Sequence, residues 1–135
     1  NSSIHLYDGK QLPFADGSFD LIFTACVFHH IPEQHHVALL SEIRRCLSSN
    51  GVFLLFEHNP INPLTQLAVA RCPFDENAVL IGGSEMQRRM SKAGFSGTSK
   101  GYRIFFPAFL RPLVKLEKWL DKLPLGGQYY VAAKP

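Results

Sequence analysis

No apolar run in this chain approaches the roughly 18 residues that a bilayer span needs, and the opening Asn-Ser-Ser-Ile-His has neither the basic region nor the apolar stretch of a secretory leader. A cytoplasmic location is the expectation. Cysteine is scarce: Cys26, Cys46 and Cys72 are odd in number and widely spaced, so neither a disulfide framework nor a Cys-x-x-Cys metal site is indicated. No Gly-x-Gly cluster occurs anywhere, which removes the usual loop through which a backbone approaches a nucleotide. There is no internal repeat or low-complexity segment. With 46% apolar and 12% aromatic residues the 135-residue chain has the makings of one folded domain and not of a disordered tail.

Charge is divided unevenly. Residues 1–67 hold three basic and six acidic side chains, residues 68–135 eleven and five. All six histidines lie within the first 58 residues, so the groups that titrate near neutral pH are gathered there.

The apolar patterns predict an α/β fold. Residues 3–7 (Ser-Ile-His-Leu-Tyr) read as a short strand and 8–18, with two Asp-Gly pairs and a proline, as a loop. The runs 19–28 and 52–57 are nearly continuous apolar stretches, the pattern of strands buried on both faces of a parallel sheet. Between them Val37, Leu40, Ile43 and Leu47 recur at helical spacing, and Asn50-Gly51 offers a helix stop, completing a βαβ unit. A helix begins at Pro63. Another, over 85–93, has Ser84 and Gln87 at the spacing of a capping box and Gly94 at its end. A strand at 101–107, a helix at 108–123 and a final strand at 128–134 complete the reading. On the 108–123 helix Leu113, Leu116, Leu120 and Leu123 mark one face, and Arg111, Lys115, Lys118 and Lys122 the other.

Six landmarks stand in order between residues 8 and 51: Asp8, Leu12-Pro13-Phe14, Ser18-Phe19-Asp20, His30-Ile31, Glu42-Ile-Arg-Arg45-Cys-Leu47 and Gly51. This series resembles the middle and later part of the class I S-adenosylmethionine-dependent methyltransferases. The resemblance implies an incomplete Rossmann-like sheet, mostly parallel with an antiparallel last strand, in which residues 1–135 form the C-terminal portion of a single methyltransferase domain. The family's first strand ends in a glycine-rich loop and its second in an acidic residue, and neither is found here. The implied cofactor is S-adenosyl-L-methionine, and the implied reaction is methyl transfer to a small-molecule or sugar acceptor as part of a longer enzyme. Without the glycine-rich loop the isolated chain is expected to bind cofactor poorly and to be inactive.

The same resemblance suggests roles for individual residues. Asp8, with Gly9 beside it, stands where the family carboxylate accepts from the adenine amino group. Thr24, Ala25 and Cys26 close a strand where small side chains leave room for the methionine portion. His30 matches the histidine at the strand end, where it orders the loop over the cofactor or serves as a base. Glu57, His58, Asn59 and Asn62 follow the next strand's carboxyl end, where the family places its acceptor, and we take His30 and His58 as catalytic candidates and Glu57, Asn59 and Asn62 as substrate-binding ones. Each also has a plainer reading: Asp8-Gly9, Asn59-Pro60 and Asn62-Pro63 are ordinary turn and helix-start chemistry. Cys26 has nothing in the sequence to lower its pKa and is not expected to be a nucleophile.

A metal site is not expected, because neighbouring histidines on a strand point to opposite faces and Pro32 separates His29-His30 from His35-His36. Nucleic acid is not an expected partner either, and the basic stripe at 108–123 reads as a solvated face in preference to a membrane-binding one. An apolar sheet edge left uncovered would favour a homodimer by strand pairing. Two other readings differ in class: a non-catalytic, methyltransferase-derived binding module, and a nucleotide-dependent oxidoreductase, away from which the landmark order points.

Overall fold

A computed structural model describes residues 3–106 and 108–135. Strands β1 (Phe19–Ala25), β2 (Leu47–His58), β3 (Gly97–Arg103) and β4 (Gln128–Lys134) form one sheet in the order β1-β2-β4-β3. β1 and β2 are parallel, while β4 runs antiparallel to both β2 and β3. Three strands thus point one way and β4 the other. The sheet is mixed, as the resemblance implied, although only one of its three pairings is parallel.

The third co-directional strand is β3 and not the expected 3–7. Ile4 and Leu6 are 97% and 94% exposed, and residues 3–7 have no ladder partner among the described residues. A β-prone run with nothing to pair against has no reason to stay extended. β1 is also less enclosed than its composition suggests, with Leu21 and Phe23 at 61% and 56% exposure. It is the sheet edge, and helices α1 (His36–Cys46) and α3 (Gly83–Lys92) cover one face of the sheet only. Accordingly β2 alternates buried and half-buried residues: Phe53 and Leu55 pack with Tyr129 and Val131 of β4 against Leu40, Ile43, Met86 and Met90. On the opposite face Phe23, Phe56 and Tyr130 form a looser aromatic row.

Local boundaries also differ from expectation. α1 ends at Cys46 and Leu47 is already extended, so Asn50-Gly51 lies within β2 instead of ending the helix. Gly51 serves close approach: a Cβ there would sit 3.0 Å from the Phe19 carbonyl oxygen of β1. The capping box does not form at α3. Ser84 Oγ accepts from Lys100 Nζ and Gln87 Nε2 donates to Thr98 Oγ1, so both side chains fasten the helix to β3. Gly94, with φ +93°, ends that helix as anticipated. The segment 108–123 is not one helix: two 3-10 pieces over Ala108–Leu116, separated by a kink at Leu110 (φ −101°, ψ 20°) and including Pro112, precede a single turn α4 (Glu117–Leu120). Leu113, Leu116 and Leu123 remain exposed, so the leucine face is not packed away. Pro107, at the end of the expected 101–107 strand, and the Arg111 side chain of the basic stripe lie outside the described residues.

One polar contact crosses the helical layer. Arg89 Nη1 of α3 donates to His36 Nδ1 of α1 at 2.6 Å, and His36 Nε2 donates to the Ile31 carbonyl at 2.8 Å, so the buried imidazole is neutral with its proton on Nε2.

Candidate functional site

The carboxyl ends of β1 and β2 lie side by side, the place where open α/β sheets hold ligands. β1 leaves the sheet through Cys26, whose φ of +54° is rare for a residue with a side chain. That kink turns the chain into a 3-10 turn over Phe28–His30. Glu57, near the end of β2, secures the turn: its Oε1 accepts from the Val27 and Phe28 amides at 2.9 and 2.6 Å, and its Oε2 from His29 Nδ1 at 2.6 Å. Both oxygens are therefore engaged, at a residue only 2% exposed. A carboxylate engaged in this way organises the turn that follows β1.

The two asparagines follow the same pattern. Buried Asn59 donates from Nδ2 to the carbonyls of Pro124 and Gly126 and accepts at Oδ1 from the Ile61 amide. Asn62 caps helix α2 (Pro63–Ala70) by accepting from the Thr65 amide, and donates to the Leu125 carbonyl. Together they tie the end of β2 to the 124–126 loop. Asn59 is buried, whereas the Asn62 contact to the Leu125 carbonyl lies at the surface.

His30 and His58, by contrast, are brought together around a residue whose role sequence reasoning missed. Asp75 Oδ1 lies 3.3 Å from His29 Nε2 and 3.4 Å from His30 Nε2, and the His29 ring centroid is 4.1 Å from that of His30 and 5.1 Å from that of His58. His29, paired with Glu57 on its other nitrogen, is the second residue missed. The reason given against convergence, alternation along a strand, fails because residues 28–30 are a turn and not strand. His35 and His36 stay out of the cluster, the first exposed and the second committed to Arg89.

A hydrogen bond from the Cys72 thiol, with the neighbouring His29 acting in the same direction, holds the Asp75 carboxyl below the ordinary carboxylate range. Burial pushes the His58 imidazole below its usual value, and His29 acts in the same direction. Burial raises the Cys26 thiol, reinforced by Glu57 and Asp75, which keeps it protonated and unreactive. A cavity of about 340 Å³ opens beside these groups, with His58, Thr65, Cys72, Asp75, Ile104 and Gln128 in its wall.

The expected cofactor residues sit on the β1 side. Asp8 is fully exposed and accepts at Oδ1 from the Lys10 and Gln11 amides, which lower its carboxyl pKa; Gly9 has φ +83°. Thr24, Val27 and Leu12 line an apolar groove of about 420 Å³ along β1. Within it the buried Thr24 Oγ1 has no hydrogen-bond partner. Ala25 is exposed at the strand end.

The fold has counterparts among known proteins. Residues 2–55 match the family described as a methyltransferase domain. A protein of Synechocystis sp. described as an uncharacterized methyltransferase is 30% identical over 95 residues, which cover 67% of this chain and 45% of that protein. The solved structures of SAM-dependent methyltransferases from Thermotoga maritima and Archaeoglobus fulgidus superpose with TM-scores of 0.73 and 0.70. They share 18% and 13% identity, cover 93% and 90% of this chain, and are themselves covered over 60% and 62% of their lengths. The chain has a class I methyltransferase fold. It spans about half the length of the curated relative.

Within that fold the Glu42-x-x-Arg45 landmark acquires a physical role. Arg45 donates to Glu42, to Asp16 and to the carbonyls of Leu12 and Phe14, and Glu42 Oε2 accepts from the Leu12 amide. α1 thereby clasps the 12–16 loop that carries the Leu-Pro-Phe landmark. No helix among the described residues is long and apolar enough to cross a membrane.

Proposed function

We propose that this chain takes part in S-adenosylmethionine-dependent methyl transfer to a small-molecule or sugar acceptor, with the reacting groups meeting at the carboxyl ends of β1 and β2. The observation that carries this reading is the family match over residues 2–55, which includes Asp8, Gly9, Thr24–Cys26 and His30. Asp8, Gly9, Thr24, Ala25 and Cys26 would hold the cofactor. The unpartnered, buried Thr24 hydroxyl fits a ligand that brings its own hydrogen-bonding group, since such an atom is costly to leave bare. When bound, S-adenosylmethionine supplies a methyl group already activated by its sulfonium, so the protein's task is positioning and exclusion of water.

The chain's own residues divide that task. Glu57 fixes the turn that presents His30, and Glu57, Asn59 and Asn62 stand on the acceptor side of the site, the two asparagines tying the end of β2 to the 124–126 loop. His58, in the cavity wall, takes the acceptor proton. His58, Asp75 and Gln128 supply polar groups in a cavity wall that is otherwise largely apolar, built from residues such as Ala68, Val69 and Ile104. The 135-residue chain, having no Gly-x-Gly loop, binds cofactor weakly on its own, and its open β1 edge supports a homodimer.

Calorimetric titration of the chain with S-adenosylhomocysteine tests this. The expected result is saturable binding with Kd between about 1 µM and 1 mM, weakened about tenfold by Asp8→Ala and by Thr24→Val. Absence of saturable binding, or binding indifferent to both substitutions, overturns the proposal; a sub-micromolar Kd overturns the weak-binding part of it.

A further inference from the structure

The adjacent His29 and His30 meet Asp75, 46 residues beyond His29, beside the cavity: one ligand atom of each lies within 4.8 Å of the other two, and the Nε2 atoms of both histidines face Asp75 Oδ1. The distances are informative. At 3.3 and 3.4 Å the two histidine–aspartate separations exceed the roughly 2.7–2.9 Å of a good charge-assisted hydrogen bond. They equal the edge of a tetrahedron with metal–ligand bonds of about 2.0–2.1 Å, which is about 3.3 Å.

The tautomer of His29 points the same way. Its Nδ1 lies 2.6 Å from the Glu57 carboxylate, which fixes the proton on that nitrogen. In the neutral ring Nε2 then carries a lone pair, and that lone pair faces Asp75 Oδ1, another acceptor. Two acceptors turned towards each other in a nearly dry site call for a cation between them. A carboxylate on the far nitrogen of a histidine is also the usual outer support of a metal-binding imidazole. Glu57 fills that place while holding the turn through two backbone amides.

We propose that His29, His30 and Asp75 form a site for a divalent transition ion of the zinc type, with Glu57 orienting His29 from behind. Two imidazoles and one carboxylate suit such an ion better than magnesium or calcium, which prefer all-oxygen surroundings. Three protein ligands leave a fourth position for water or a ligand oxygen, the pattern of reactive sites and not of structural ones. Asp75 lies in the wall of the 340 Å³ cavity, so that position is within reach of a molecule held there. Ion binding is read without cofactor or acceptor, so its failure would leave the methyl-transfer reading standing.

The test is titration of the full chain, first treated with chelator, with Zn²⁺ by calorimetry and with Co²⁺ by visible absorption. One equivalent is expected, with the intense d–d bands of a four-coordinate cobalt ion. His30→Gln and Asp75→Asn, both at positions reachable by solvent, should each weaken binding by more than about tenfold. Unaltered circular dichroism in these variants separates loss of ligand from loss of fold, and His5→Gln and His35→Gln, at exposed histidines outside the cluster, should bind as the parent does. Absence of saturable binding overturns the proposal. Binding that survives both ligand substitutions, or that falls equally in the two controls, overturns it as well.

Discussion

The two edges of the sheet differ in kind. β3 presents Gly97, Thr98, Ser99, Lys100 and Gly101, a short polar strand bearing a lysine, which is how natural sheets discourage further pairing. β1 presents Phe19, Leu21 and Phe23, with the latter two largely in water and an apolar groove running alongside. One edge is finished and the other is not. The contrast teaches that exposure alone does not mark a surface: β3 is chemically suited to solvent, whereas β1 has the composition of an interior strand and the surroundings of an outer one.

That comparison can be sharpened by substitution, beginning with the strand between the edges. Phe53 is fully buried in β2, and Phe53→Ala should cost about 3–5 kcal/mol in denaturant unfolding, whereas Phe23→Ala on the open edge should change monomer stability by less than about 1 kcal/mol. Equal losses would mean that β1 is enclosed as fully as β2. Next in size is self-association. The chain should dimerise with rising concentration in analytical ultracentrifugation, and the pair Leu21→Lys with Phe23→Lys should raise the dimer Kd at least about tenfold, while Thr98→Lys on β3 leaves it unchanged. A chain that stays monomeric at millimolar concentration, or a dimer indifferent to the β1 changes, removes the distinction between the edges.

The smallest effect concerns pH and the helical layer shared by both halves. His36 has its pKa lowered, chiefly by burial, and is faced by Arg89 from α3 and by Glu33 from the preceding turn. Protonating Nδ1 would set two donors against each other. The unfolded chain therefore takes up this proton first, so the stability is complete above about pH 6.5 and declines as pH falls through that value towards the lower folded one. Thermal unfolding should show Tm level above neutrality and falling below about pH 6.5, with a shallower fall in His36→Gln. Identical profiles in the two proteins would show that the imidazole is not the group responsible.

Much of the scaffold was legible in the residue pattern, and the reason is locality. β4 at 128–134, the start of α2 at Pro63 and the end of α3 at Gly94 each rest on signals within a few residues: a run of β-formers after Gly126-Gly127, an Asn-Pro start, a glycine able to adopt positive φ. Where a local signal competed with a partner far along the chain, the partner won. Ser84 and Gln87 left the capping box for Lys100 and Thr98, and Asn50-Gly51 lies inside β2, in the irregular stretch between the Phe19–Leu47 and Leu21–Val52 pairs with β1. The candidate site shows this most clearly. Asp75 is 46 residues from His29, and no spacing rule joins them. Glu57, Asn59 and Asn62 were correctly located at a strand end, yet the backbone groups that occupy them belong to residues 27–28, 61, 65 and 124–126, which only the folded chain brings near.

The order β1-β2-β4-β3 has a consequence for how the molecule comes into being. β3 touches the sheet only through β4, and β4 is the latest of the four to leave the ribosome. Until residues 128–134 have emerged, β2 keeps one flank open and β3 waits with no ladder at all. The vectorial growth of the chain thus cannot close the sheet piece by piece; the middle is inserted last, and the nascent protein must keep two unsatisfied strands apart until then.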